Sequence, residues 1–255
     1  MGKKSLVEDI SFVLLGIERA ISNQVDGGLA LADLDSDWFG EQVVASRSDP
    51  AEMAKWASST VIDDNVKAPV FDERVFSWLH RGVSDGLAFP IGHAGLMHVY
   101  GYLLSSVETP YGLKRKRWLT GDLANAFGLE SSFFFPPASA LPLMERVASV
   151  VLPILTEPTA DSRTVLAFDD FIDLRRRMRT VYVCDPVTNS TALLYGSVAG
   201  DDVRIVTAFP SGPLTAQSAR DRLLEPARYR YNYSPADAKP GSQFEGTIEV
   251  LTSVF

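Results

Sequence analysis

The sequence predicts an α+β protein: a mainly helical N-terminal part over residues 1–157, then a small antiparallel sheet with one or two helices over residues 158–255. A single continuous domain is the alternative. Three observations carry this. Apolar residues recur at helical spacing up to about residue 156. The run Glu157-Pro158-Thr159-Ala160-Asp161-Ser162 is polar and rich in helix breakers. Beyond it the apolar period shortens to two. A chain of 255 residues, 46% hydrophobic and 22% charged, is long enough for one large or two small domains with real cores and excludes a disordered or disulfide-scaffold chain.

Taken in order, Ile10, Val13, Leu14, Ile17 and Ile21 form one stripe of an amphipathic helix over 5–22. Further helices are expected over 50–58, 71–81, 93–106, 110–119, 121–128 and 140–155. Thr109-Pro110 reads as an N-cap with proline in the first turn, and Gly128 as a C-terminal stop. Phe133-Phe134-Phe135-Pro136-Pro137 breaks the helical pattern and reads as a loop stapled to the core, or as part of a pocket wall. Strands follow over 180–185, 190–199 and 203–209, joined by turns as a meander. A helix over 214–225, a strand through Arg228-Tyr229-Arg230-Tyr231-Asn232-Tyr233 and a last strand over 246–254 complete the expectation.

Charge and composition narrow the function. There are 24 Lys and Arg against 32 Asp and Glu, a net of -8. The excess is local, since residues 1–87 hold 15 acids and 8 bases while residues 158–255 hold 12 and 11. This opposes a phosphate-driven grip on nucleic acid. The uncharged stretch Gly86–Val107 spans 22 residues but is broken by Pro90, several glycines, His93 and His98, so a helix buried in a soluble domain is expected rather than a membrane span. Glu8 and Asp9 interrupt any signal-peptide core. Cys184 is the one cysteine and reads as a buried free thiol in a reducing, cytoplasmic setting. No phosphate loop, dinucleotide fingerprint, nucleophile elbow or zinc spacing is present, and no metal site is expected.

The candidate chemistry is therefore assembled from scattered residues. All three histidines lie in the helical part. His93 and His98 would stand about 140° apart on one regular helix, too far to chelate one metal. His98 shares a face with Tyr102 and is the leading acid-base candidate, with His93, Tyr102 and Tyr111 as further catalytic candidates. Haem ligation through His98 or His93 is the one cofactor considered. His80 reads as a helix-terminal residue. Lys114-Arg115-Lys116-Arg117 circles most of a helical turn, so the cluster either pairs with the acidic N-terminal third or turns Lys114 and Arg117 inward to hold an anion. Arg228 and Arg230 share a strand face and form a second candidate anion site. Asp169, Asp170 and Asp173 before Arg175, Arg176, Arg177 and Arg179 read as helical i to i+4 pairing.

The strand Arg204-Ile205-Val206-Thr207-Ala208-Phe209-Pro210 superficially resembles the central strands of small ribonuclease toxins of the barnase, EndoU, colicin and RelE group. That resemblance implies Arg204, Thr207 and Arg228 or Arg230 facing RNA. Residues 158–255 hold no histidine and no basic excess, so the chain departs from that pattern and is not assigned to it. The expectation is an enzyme acting on a small anionic, carboxylate-bearing metabolite of undetermined reaction type. His98, Tyr102 or Tyr111 would lie near the reacting atoms, with Lys114, Arg117 or Arg230 on the anion. A non-catalytic binding protein and a nuclease-like effector on the C-terminal sheet are the alternatives.

Overall fold

The computed structural model describes residues 3–23, 38–83, 87–136, 141–171, 175–212, 221 and 247–249. Helices and antiparallel strands coexist as the sequence predicts, with the helices gathered in the N-terminal part. Helix α1 (Lys3–Asn23) buries Ile10, Leu14 and Ile17 along one stripe. Helix α2 (Trp38–Arg47) buries Phe39 and Val43. Helix α3 (Pro50–Ala54) starts where Asp49 Oδ1 accepts the Ala51 and Glu52 backbone N–H groups.

α3 ends four residues sooner than periodicity suggests. The chain leaves it to pair with the sheet: the Ile205 amide donates to the Lys55 carbonyl and the Ala57 amide to the Ile205 carbonyl, both at 2.8 Å. Strand β1 (Ser58–Thr60) then pairs with β4 (Ile91–His93), while β2 (Ile62–Asp63) and β3 (Ala68–Pro69) form a small hairpin. Helix α4 (Glu73–Leu79) is capped by Asp72, whose Oδ1 accepts two N–H groups at 3.0 Å. His80 closes it, with Nδ1 2.9 Å from the Phe76 carbonyl.

Two predicted helices are corrected. Residues 91–93 belong to strand β4, so the helix expected from 93 begins at residue 94 and, after two residues, widens into a π-helix over Leu96–Gly101 continued by one α-turn, α5 (Tyr102–Leu104). Gly101 lies against the Phe71 ring, where a Cβ would collide with the ring carbons. Residues 110–119 are not one helix either. Thr109 Oγ1 donates to the Gly112 carbonyl and accepts from the Tyr111 amide, and Gly112 sits at φ +81°. These bonds fold the hairpin β5 (Glu108–Thr109) to β6 (Gly112–Leu113), so Thr109 caps a turn rather than a helix. Only the short α6 (Lys116–Leu119) follows, then α7 (Asp122–Ala126).

The phenylalanine loop is stapled to the core as expected. Phe134 and Phe135 are buried, and the Arg146 guanidinium gathers the carbonyls of Phe133, Phe135 and Pro136. Arg146 belongs to helix α8 (Leu143–Thr156), which lies on one face of the sheet with Leu155 against Gly196.

The sheet runs in the order β10 (Asp202–Ser211), β9 (Thr191–Ala199), β8 (Arg177–Cys184), β7 (Thr164–Phe171), β11 (Thr247–Glu249), every pairing antiparallel. The expected meander is present with a fourth strand, β7, and the acid-before-base run is split across β7 and β8 rather than forming a helix. Asp169 stands opposite Arg179 across β7 and β8 and takes it bidentately at 2.8 and 2.9 Å, with Arg177 at 3.1 Å. Opposite charges on a hairpin arrive in the same sequence order as on a helix, which is why spacing alone misassigned them. Asp173, the strand through 228–233 and all but Asp221 of the expected helix over 214–225 lie outside the described residues.

One apolar core runs through both parts. It joins α1, α2, α4, the π-helix and α8 to the inward-facing Val181, Val183, Leu194, Ile205 and Ala208 of the sheet. The opposite face carries its own buried cluster, including Tyr182, Leu193, Tyr195 and Val206. No described helix is long and apolar enough to cross a membrane.

Candidate functional site

Strand β10 is an edge strand, and a bulge lies between Ile205 and Thr207. Strict alternation would place both side chains on one face. The extra residue, Val206, resets the phase: Ile205 stays in the core while Thr207 pairs with Tyr195 on the opposite face. The helical part reaches around this edge, and a cleft of about 640 Å³ opens between the two.

From the helical side the cleft receives His98, Tyr102, Tyr111, Lys114 and Arg117. From the sheet it receives Tyr182, Leu193, Tyr195, Thr207 and Phe209. The π-helix carries His98 and the following turn carries Tyr102, whose rings stack at 4.8 Å and 18°. A widened turn of this kind often sits at a functional position. His98 is 3% exposed, and neither ring nitrogen has a hydrogen-bond partner of good geometry. Burial, with the charges of Arg117 and Lys114 behind it, holds its pKa well below the ordinary value of 6.5, against a smaller opposing effect from the Val206 backbone. The ring is neutral at pH 7.

Arg117 bridges the two walls. Its Nη1 donates to Thr207 Oγ1 at 2.8 Å, and its guanidinium carbon lies 4.9 Å from the Tyr102 ring centre and 5.2 Å from that of Phe209. Burial pushes its pKa down to about 10, which leaves it charged at neutral pH. Among the described residues no carboxylate lies within ion-pair distance of it. Lys114 is different: its ammonium meets Asp63 Oδ2 at 2.5 Å. Burial works to raise the Asp63 carboxyl, but Lys114 and the Asn65 and Val66 amides outweigh it and hold the group below its usual range. Burial also pushes the Tyr102 hydroxyl up to about 12, so it stays protonated.

The basic cluster thus divides. Lys114 pairs with the acidic third, Arg115 turns inward to the carbonyls of Ser105 and Leu104, Lys116 is exposed, and Arg117 enters the cleft. Tyr111, at the tip of the β5–β6 hairpin, is 82% exposed at the mouth.

Other candidates fall elsewhere. His93 does not line the cleft. Its Nε2 bonds the Met53 carbonyl and its Nδ1 accepts the Leu96 amide, while its own backbone N–H goes to His80 Nε2, so both ring nitrogens are committed to the fold. Arg204 is exposed and paired with Asp202 at 2.8 Å, outside the cleft. Arg228 and Arg230 lie outside the described residues. No group of three or more His, Cys, Asp or Glu among the described residues is arranged to hold a metal ion. Cys184 is half-buried, its thiol pushed up by burial and by Asp185.

Sequence reasoning missed Asp63, Asp64, Tyr182, Tyr195 and Phe209. The three aromatics alternate with core residues on their strands, so period-two patterning placed them on the outer face without saying what stood opposite. Comparison of the chain with known protein families, curated proteins and solved structures finds no match.

Proposed function

We propose that the protein is an enzyme that binds a small carboxylate-bearing molecule in this cleft and moves a proton to or from it through His98. One juxtaposition carries the reading: a buried, neutral imidazole with no well-formed hydrogen bond at either nitrogen shares the cleft with a guanidinium that has no carboxylate partner among the described residues. Neutral imidazole accepts a proton or donates a hydrogen bond equally well. Arg117 holds the carboxylate and Tyr102 offers a hydroxyl that stays protonated. Tyr111 covers the mouth. The single cysteine suits a reducing compartment, and we place the enzyme in the cytoplasm with no nucleic-acid partner.

A titration with a panel of small carboxylates, followed through the imidazole NMR signals of the three histidines, tests this. The expected result is movement of His98 while His80 and His93 stay put, with Arg117→Gln weakening binding by about ten-fold or more, the value of a charged hydrogen bond. Binding that leaves the His98 signals unmoved would sink the reading. A non-catalytic binding protein is the reading left if His98→Asn binds the same carboxylate as tightly as the unsubstituted chain and neither form converts it.

A further inference from the structure

We infer that the molecule this cleft takes is a planar aromatic monocarboxylate. This rests on the reading above that the cleft holds a carboxylate, and adds the class of body attached to it.

The walls argue for a flat π-system. Tyr102 from the helical side faces a sheet surface carrying Tyr182, Tyr195 and Phe209, the last two with ring centres 5.8 Å apart and tilted by 50°. Aliphatic side chains would line a site for a saturated body equally well. Here the rings of Tyr102, Tyr182, Tyr195 and Phe209 outnumber the aliphatic lining residues Leu113, Leu193 and Pro210. Aromatic surfaces reward another ring beyond the area it buries.

The position of the cation argues for how the ligand lies. Arg117 stands over both Tyr102 and Phe209. The guanidinium itself lies between those two rings, so a carboxylate bonded to it sits at their edge and sets the body it carries against the aromatic lining of the cleft. His98, stacked on Tyr102 at 4.8 Å, extends the flat wall of the same slot.

The charges argue for one negative charge and not two. Asp63, Asp64 and Asp122 line the cleft along with Lys114, Lys116 and Arg117, so the lining is neutral as a whole. Lys114 is engaged by Asp63 and Lys116 stands in solvent. Arg117 alone among these cations is both inside and without a carboxylate. A phosphate dianion would bring a second charge toward Asp64 and Asp122 with no inward cation to meet it.

Calorimetric titration of the full chain with four probes separates the parts of this argument. The probes are 2-naphthoate, its saturated counterpart decahydro-2-naphthoate, the uncharged 2-naphthamide, and 2-naphthyl phosphate. We expect 2-naphthoate to bind, the saturated acid to bind about three- to ten-fold more weakly, the amide about ten-fold more weakly or worse, and the phosphate no more tightly than the acid. Phe209→Leu should lower affinity for 2-naphthoate, and Phe209→Tyr, which keeps the ring, should restore it.

Equal affinity for the saturated acid would overturn the aromatic assignment while leaving the carboxylate reading standing. Equal affinity for the amide would overturn both. A phosphate that binds about ten-fold more tightly would overturn the single-charge assignment, and failure of all four probes to bind would overturn the inference and the reading beneath it.

Discussion

His98 must give up its solvation to stay where it is, and that has a consequence in acid. Its folded pKa lies below the ordinary 6.5 of the exposed ring. Between those two values the unfolded chain binds more protons, so stability rises with pH across that window and falls as pH drops from about 6.5. Denaturation midpoints measured at about pH 7.5 and about pH 5.5 should fall more for the unsubstituted chain than for His98→Asn. An equal fall in both would show that the ring costs nothing to charge. Thr207→Val tests the other partner in the cleft. It removes the hydroxyl that accepts from Arg117 while keeping the shape, so carboxylate binding should weaken by a few-fold and stability should change by about 1 kcal/mol or less. Arg146 has the opposite profile. Arg146→Met removes the donor to the Phe133 and Phe135 carbonyls and leaves Pro136 with Gln42 Nε2 alone. It should cost about 3 kcal/mol or more, read as a fall in denaturation midpoint.

The elements that build the cleft are the ones whose local rules were overridden. The π-helix can pass Phe71 because Gly101 has no side chain there. Gly101→Ala should therefore cost about 1 to 3 kcal/mol through overpacking. It should also weaken carboxylate binding, since Tyr102 follows directly; unchanged binding at lowered stability would separate the two. The bulge in β10 and the hairpin ahead of α6 show the same pattern. Periodicity named a strand over 203–209 correctly, yet strict alternation from Ile205 would have buried Thr207 in the core. One extra residue in the pairing decided otherwise. In Thr109-Pro110 a helix-start signal and a turn signal look alike, and the hydrogen bond to the Gly112 carbonyl settles it.

At the scale of the whole molecule, the apolar core is shared. Ile205 and Leu194 pack in the same cluster as Leu14 and Trp78, and the chain after α3 is hydrogen-bonded to β10. The helical part and the sheet should therefore unfold together. All four tryptophans, Trp38, Trp56, Trp78 and Trp118, lie in the helical part, so their fluorescence reports on it, while far-ultraviolet circular dichroism near the β band reports on the sheet. Coincident transitions are expected, and two separated midpoints would refute a common core. Apolar periodicity, breaker residues and charge order are local properties, and from them the sequence by itself determined the α+β class, the amphipathic first helix, the three-strand meander, and His98, Tyr102, Lys114 and Arg117 as the side chains worth following. It ranked His98 ahead of His93 only through the face shared with Tyr102, and could not tell a helical acid-base run from a cross-strand one, because those choices depend on partners far away in the chain. Only the tertiary structure bonded both nitrogens of His93 to the fold, left His98 without a well-formed hydrogen bond at either nitrogen, gave Asp63 to Lys114, and set Arg117 between Tyr102 and Phe209. The physical reason is that burial and pairing fix the charge and availability of a polar group, and both come from contacts that no local pattern encodes.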